Sequence, residues 1–455
     1  MLSLEQEQDL MLASIGIASV NDLFSQVPPE VKMARKLAIP ERKPDWEMEK
    51  KLKTLAKQNV TTLDYISFLG GGFYEHYIPP VVDALANRGE FLTAYTPYQP
   101  EMSQGLLQIF SEYQAYIRLL TGLPICNISS YDGATALSEA VWMALRGGSQ
   151  TRKDGVCYAD QIWPETLSVL ETYCWGKNIS LTKASLQAQD GAIDLEKLES
   201  FLKETDVRAF AFQTPNRFGV TESVQKIADL CKKYGVISIL YYYPLLSGLF
   251  RTPGELGVDI VAGEAQCLGL PLSMGGPGLG LLACDKKFAP FLTGRVVGQV
   301  KDQDGQDAFA FINEEREQHF SRDKANSNIC TNQAHCVIRV AIYLSVLGGN
   351  GFLRLSQQNY YNAHFFMSQV IKIPGISRLF SGPFFNEFTL SLSFSAKEFL
   401  KRLRDCEIFG GIDVSTGEQD QRVLVTVTEV KNKDELAKAL LIFEKCARGM
   451  FDVKK

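Results

Sequence analysis

The sequence predicts an α/β chain: a large, mostly parallel sheet covered by helices on both faces, followed by a small α+β unit. Three observations lead there. Short apolar runs, VRAFAF (207–212), VISILYYY (236–243), VDIVAG (258–263) and LGLLAC (279–284), read as buried strands. Helical patterns separate several of them, as strands of a doubly covered parallel sheet require. Further on the texture changes. FTLSLSF sets Phe388, Leu390, Leu392 and Phe394 on one face, the alternation of a half-buried antiparallel strand, and VLVTVT repeats it with Val423, Val425 and Val427.

Taken in order, Ser3 and Gln6 form a capping box, and Leu4 to Ile15 reads as a helix stopped near Gly16. Residues 28–53 are rich in proline and charge and are expected as an extended arm. After Ser103, Leu106, Leu107, Phe110, Tyr113, Ile117 and Leu120 recur at helical spacing. Gly133 to Arg146 reads as a helix with Asp132 at its N-cap and Gly147-Gly148 ending it; Ser223 to Tyr234 is another. Thr331 to Leu347 is a long apolar helix that GGNG should end, and Asp434 to Phe443 is the last helix. The expected organisation is an N-terminal helix and arm (1–60), a large α/β domain (61–330), and a bridging helix with a small α+β domain (331–455).

At 455 residues, 45% hydrophobic and 22% charged, the composition is globular. A net charge of -5 with no basic block argues against nucleic acid as a partner. The ten cysteines (Cys126, Cys157, Cys174, Cys231, Cys267, Cys284, Cys330, Cys336, Cys406 and Cys446) show no CxxC pair and no zinc spacing. Reduced thiols in a cytoplasm are therefore expected, and no metal. The start MLSLEQEQDL is acidic and polar, unlike a signal peptide, and no uninterrupted apolar run reaches the ~20 residues of a membrane span.

Five tracts carry more information: YIPPVVDALANRGEFLTAYTPYQPEMSQG (77–105), NISSYDGATALSEA (127–140), QTPNRFG (213–219), GEAQCLGLPLSMGGPGLG (263–280) and REQHFSRDKANSNICTNQA (316–334). With them the chain resembles the P-proteins of the glycine cleavage system, in particular subunit 1 of the two-subunit glycine decarboxylases. The resemblance runs from the first helix to the last. It implies a fold-type I (aspartate aminotransferase-like) pyridoxal phosphate fold. It implies a partner, subunit 2, that holds the cofactor on a lysine and decarboxylates glycine. It also implies transfer of the aminomethyl group to the lipoyl arm of the H-protein, in an α2β2 assembly. The cofactor serves as the electron sink, and its lysine forms the internal imine.

Three requirements of that chemistry fail in this sequence. Aligned with the cofactor-bearing subunit, Gln266-Cys267 takes the place of a His-Lys pair, and a thiol cannot form an imine with an aldehyde. In ISILYYYP, Tyr243 stands where the resemblance places an aspartate against the pyridine nitrogen; a phenol of pKa about 10 is a poor substitute. At the helix start in YDGATA, Asp132 would satisfy the free N–H groups and repel a phosphate. The expectation is a chain without its own pyridoxal phosphate that completes the site of its neighbour. A self-sufficient pyridoxal phosphate enzyme, or a purely structural or regulatory subunit, are the alternatives.

Tyr95, Tyr98, Gln99, Pro100 and Glu101 form the most family-specific loop. It either shapes the partner's glycine pocket and lipoyl channel or is a proline-stiffened turn at a subunit contact. Lys324, Asn328 and Thr331 either reach the same place or serve as a surface charge and helix caps. His76 and His319 are either acid–base groups or structural. Asn216 reads as a turn residue, Gly275 to Gly278 as a tight turn, and Cys267 as inert packing.

Overall fold

The computed structural model describes residues 4–33, 35–94, 96–147, 155–329 and 333–452. It divides into two units, Met1–Thr61 and Thr62–Lys455.

In the first unit, α1 (Leu4–Ser14) ends as expected where Gly16 turns left-handed (φ 77°). Ser3 of the capping box lies outside the described residues. The arm is extended only in part, because its second half forms α2 (Asp45–Ala56). Pro44 precedes the first turn, Asp45 and Glu47 occupy it, and Lys53 sits in the last, so the charges oppose the helix dipole. Glu49 and Lys53 pair at 2.6 Å one turn apart.

The second unit is built on a seven-stranded sheet. Its strands are β1 (Ile125–Cys126), β2 (Gly155–Ala159), β3 (Ser180–Ala184), β4 (Ala209–Thr214), β5 (Ile237–Tyr242), β6 (Ile260–Glu264) and β7 (Gly280–Cys284), in the order β1-β7-β6-β5-β4-β2-β3. Pairings from β6 through β3 are parallel; β7 is antiparallel to both β6 and β1. Period-two alternation feeds two cores. Phe210, Phe212, Leu240 and Tyr242 face one, with α3 (Gln104–Thr121) contributing Leu107, Phe110, Tyr113 and Ile117. Ala209, Ala211, Ile239 and Tyr241 face the other, against α4 (Gly133–Gly147) and α5 (Pro164–Gly176). Gly148, expected to help end α4, lies outside the described residues.

A hairpin, β8 (Val296–Lys301) and β9 (Asp307–Ile312), follows the large sheet. The helix expected to stop at GGNG does break there, at Gly348, and a second helix follows directly. Helix α6 runs from Ala334 to Val370 with a break at Gly348 (φ 57°, ψ 178°). A single glycine in the left-handed region kinks the rod, and the turns after it resume. This helix is apolar enough by composition to cross a bilayer (mean hydropathy 1.6), yet half of that window is buried in the protein. Val337, Val340, Tyr343 and Leu344 pack into the first core.

The last sheet contains β10 (Ile376–Arg378), β11 (Glu387–Leu392), β12 (Ile412–Asp413) and β13 (Gln421–Thr426), in the antiparallel order β10-β11-β13-β12. Phe388, Leu390, Val423 and Val425 turn to one face, under α7 (Ala396–Asp405) and α8 (Lys433–Asp452). Phe443 is fully buried there, edge-on to Phe68, Phe366 and Phe399 at 5.5–5.7 Å. Phe443→Leu keeps most of the volume and loses those contacts, so it should cost about 2 kcal/mol, read as a lower urea midpoint.

Candidate functional site

In an open α/β sheet, ligands bind outside the carboxyl ends of the strands. Here those ends are Gln213 and Thr214 closing β4, Tyr243 after β5, and Glu264 closing β6 with Gln266 and Cys267 beyond it. The three positions singled out as degenerate all come to this place, and each is occupied by the chain itself.

Cys267 is 2% exposed, and burial, then the Glu264 carboxylate, push its thiol well above the usual range. It is no nucleophile. Beside it, the Gln266 amide clips a distant segment in place. Its Oε1 accepts from Tyr74 N at 3.0 Å, and its Nε2 donates to Tyr74 O at 3.0 Å and Leu270 O at 2.8 Å.

Tyr243 closes the second position. Its hydroxyl lies 2.6 Å from His76 Nε2, and His76 Nδ1 lies 2.9 Å from Glu429 Oε2. The two ring nitrogens of His76 thus bridge the phenol and the carboxylate. Glu429 also accepts from Tyr77 N and Asn359 Nδ2, each at 2.7 Å. Burial works against the Glu429 carboxylate, but His76 and these donors bring its pKa below the ordinary value. The His76 side chain is 1% exposed, so this histidine is a link in a buried polar chain. The ring of Tyr74 tilts against Tyr243 at 4.9 Å, and its hydroxyl donates to Glu387 Oε2 at 3.3 Å.

The third position is the start of α4. Asp132 Oδ1 accepts from Thr135 N at 2.7 Å, the expected cap. The first free N–H of the helix, on Gly133, goes instead to Glu264 Oε2 at 2.8 Å. Glu264 Oε1 accepts from Leu279 N at 2.8 Å and Gln266 N at 2.9 Å. Sequence reasoning missed Glu264, although an acid ending a buried strand three residues before Cys267 was a usable signal.

Pyridoxal phosphate does not fit these residues. The phosphate donors are taken by a carboxylate, and the space framed by Tyr74, Trp163, Gln213, Tyr241, Tyr243 and Glu264 is about 20 Å³, room for one water. No amine stands at Cys267 to bind an aldehyde.

The remaining candidates lie elsewhere. Tyr95 and Thr331 are outside the described residues. Tyr98 is half exposed, and its hydroxyl accepts from Arg295 Nη2 at 2.9 Å. The Arg295 guanidinium sits over the Tyr98 ring (5.0 Å) and the Phe311 ring (5.4 Å), and His319 meets Tyr98 edge-on at 6.3 Å. Gln99 and Glu101 are exposed on the short turn that follows. Gln104 ties that turn to the β8–β9 hairpin, donating to Pro100 O and Phe309 O and accepting from Phe309 N. Lys324 and Asn328 are exposed, on a tract held by buried neighbours. Asn326 accepts from Trp142 Nε1 at its carbonyl (2.9 Å), and Ser327 Oγ donates to Glu139 Oε1 (3.0 Å). Thus Tyr98 and His319 are brought together, with Arg295 between sequence-distant parts. Asn216 is a turn residue: its Oδ1 accepts from Phe218 N and Val220 N.

Comparison with known proteins fits this geometry. The family profile described as Glycine cleavage system P-protein matches residues 2–443. The probable glycine dehydrogenase (decarboxylating) subunit 1 of Desulfitobacterium hafniense is 40% identical over 450 residues, 98% of each chain. A crystal structure of the glycine decarboxylase (P-protein) of the glycine cleavage system, in inhibitor-bound form, superposes with a TM-score of 0.84 at 35% identity. That match covers 98% of this chain and 99% of that one. A sphingosine-1-phosphate lyase of Burkholderia pseudomallei matches in fold alone, with a TM-score of 0.68 at 13% identity over 93% and 94% of the two chains. The fold is that of the fold-type I pyridoxal phosphate-dependent enzymes.

Proposed function

The chain belongs to the P-protein family of the glycine cleavage system, and from that premise we propose that it is the subunit of a two-subunit glycine decarboxylase that does not hold the cofactor. Subunit 2 carries pyridoxal phosphate and supplies its electron sink. The pair decarboxylates glycine, releases carbon dioxide and passes the aminomethyl group to the lipoyl arm of the H-protein. The working assembly is α2β2, in the cytoplasm, where thiols scattered as these are stay reduced. The observation that carries this reading is the closure at the ends of β5 and β6: a buried thiol, a phenol bonded to His76, and a carboxylate on the phosphate donors.

What this chain contributes is positioning. Tyr98 presents its ring outward while Arg295 fixes its hydroxyl. The loop with Tyr95, Gln99 and Glu101, and the tract with Lys324, Asn328 and Thr331, enter the partner's site, shape the glycine pocket and exclude water.

The test is glycine–bicarbonate exchange with the subunits separate and combined. Neither alone should exchange; the mixture should. Full exchange by subunit 2 alone removes the role assigned here. In the mixture, Tyr98→Phe and Glu101→Gln should each lower kcat about tenfold, ~1.4 kcal/mol of barrier. Unchanged turnover in both would leave a purely structural subunit.

A further inference from the structure

Three backbone donors from three separate segments converge on one side chain. Gly133 N opens α4, Leu279 N precedes β7, Gln266 N follows β6, and all three are satisfied by Glu264 at 2.8–2.9 Å. Glu264 is 5% exposed. Asp132 serves only Thr135 N, so Glu264 takes a helix-start donor that the cap leaves open. The approach depends on missing side chains. A Cβ on Gly278 would stand 2.9 Å from Glu264 Oε2, and one on Gly133 would stand 2.9 Å from Glu264 Cβ. Beside the carboxyl lies the cavity of about 20 Å³ framed by Tyr74, Tyr241 and Tyr243.

We infer that Glu264 is a built-in acceptor that fills an intact oxyanion cradle, so that this chain excludes the phosphate of a cofactor through one side chain and would bind phosphate without it. The donors and the helix dipole that attract an anion are present. What differs is that the acceptor is covalently part of the chain, at an effective concentration no free phosphate matches. The closure stands on this chain's own geometry. Its consequence, that the cofactor can load only on the partner, rests on the two-subunit reading above.

Removing the carboxymethyl group leaves three buried donors unpaired and joins its volume to the adjoining cavity. The full-length chain, with Glu264→Ala and Glu264→Ser, is titrated with inorganic phosphate by calorimetry and thermal shift. Both variants should melt lower than the native chain, regain stability with phosphate, and bind it with a Kd of about 1 mM, at least about tenfold tighter than the native chain. Glu264→Gln keeps the plug without its charge and should not gain phosphate binding. Pyridoxal 5′-phosphate should bind the alanine variant no better than the native chain, because Tyr243 and His76 still fill the place of the ring. Folded variants that take up no phosphate overturn the inference. So do variants that fail to fold even in saturating phosphate, since the anion would supply what the side chain removed. Phosphate bound equally by the native chain also overturns it. Borohydride reduction of the assembled complex is the separate test of the two-subunit reading: cofactor found on this chain would sink that reading, whatever the phosphate titration gave.

Discussion

Cys267→Lys restores the missing amine by name and should yield no cofactor-bearing chain. It should instead destabilise the fold by roughly 4–5 kcal/mol near neutral pH, the cost of deprotonating a buried lysine whose pKa is driven down 3–5 units. The site dictates this. Cys267 is 2% exposed and sits in the core with Tyr243, Leu245, Leu268 and Tyr343. The carboxyl that acts most on this position is Glu264, whose oxygens are committed to three N–H donors, so an ion pair would leave those donors bare. The sign of the pH effect follows. The lysine's folded pKa is depressed below its unfolded value of about 10.4, so the variant loses stability as pH falls through that value and recovers it as pH rises towards it. Cys267→Met, similar in bulk and uncharged, is the reference. The measurement is the urea midpoint of both variants from neutral to alkaline pH, with the absorbance of added pyridoxal phosphate. A gap that does not narrow with rising pH, or a reducible imine band in the lysine variant, contradicts the account.

This prediction combines a position the sequence marks with surroundings it does not. The thiol at 267 and the phenol at 243 were legible because they interrupt a motif whose other residues remain. The strands were legible because Phe210, Phe212, Leu240 and Tyr242 alternate locally, and so were the faces of β11 and β13. What fills the gap was not, because it comes from far along the chain. His76 meets Tyr243 from 167 residues away, Glu264 meets Gly133 from 131, and Arg295 meets Tyr98 from 197. No local spacing encodes such contacts. The misread local feature has a simpler cause. Residues 45–56 look like arm because charge and proline surround them, yet the charges are ordered as a helix prefers. The stop read at GGNG is present, since Gly348 leaves helical geometry; the second helix that begins directly after it was not legible.

Stability should fall as pH rises from about 5 to about 8, the reverse of a protein held by ionised salt bridges. Three buried carboxyls set this slope. Burial raises Glu222, Glu264 and Glu387 from an ordinary 4.5 to about 7. Each has donors that resist the shift. Glu222 accepts from Ile193 N and Asn216 Nδ2. Glu387 accepts from Gly71 N, Thr426 Oγ1 and the Tyr74 hydroxyl. Because the folded pKa lies above the unfolded one, the folded state binds more protons between about 4.5 and 7. The associated stability is complete below the unfolded pKa and lost as pH rises through the folded one. A shift of this size corresponds to roughly 3 kcal/mol per carboxyl over the whole window. Glu139 and Glu317 are pushed the same way by burial. Glu429, lowered through His76, acts in the opposite sense, and its share is lost only as pH falls into the acid range. Urea midpoints measured across this range should therefore decline on the alkaline side. Glu387→Gln, which keeps shape and removes the titration, should flatten the decline by one carboxyl's share. A midpoint that holds or climbs towards pH 8 would mean that these three groups are ionised in the folded chain, with their N–H donors outweighing burial.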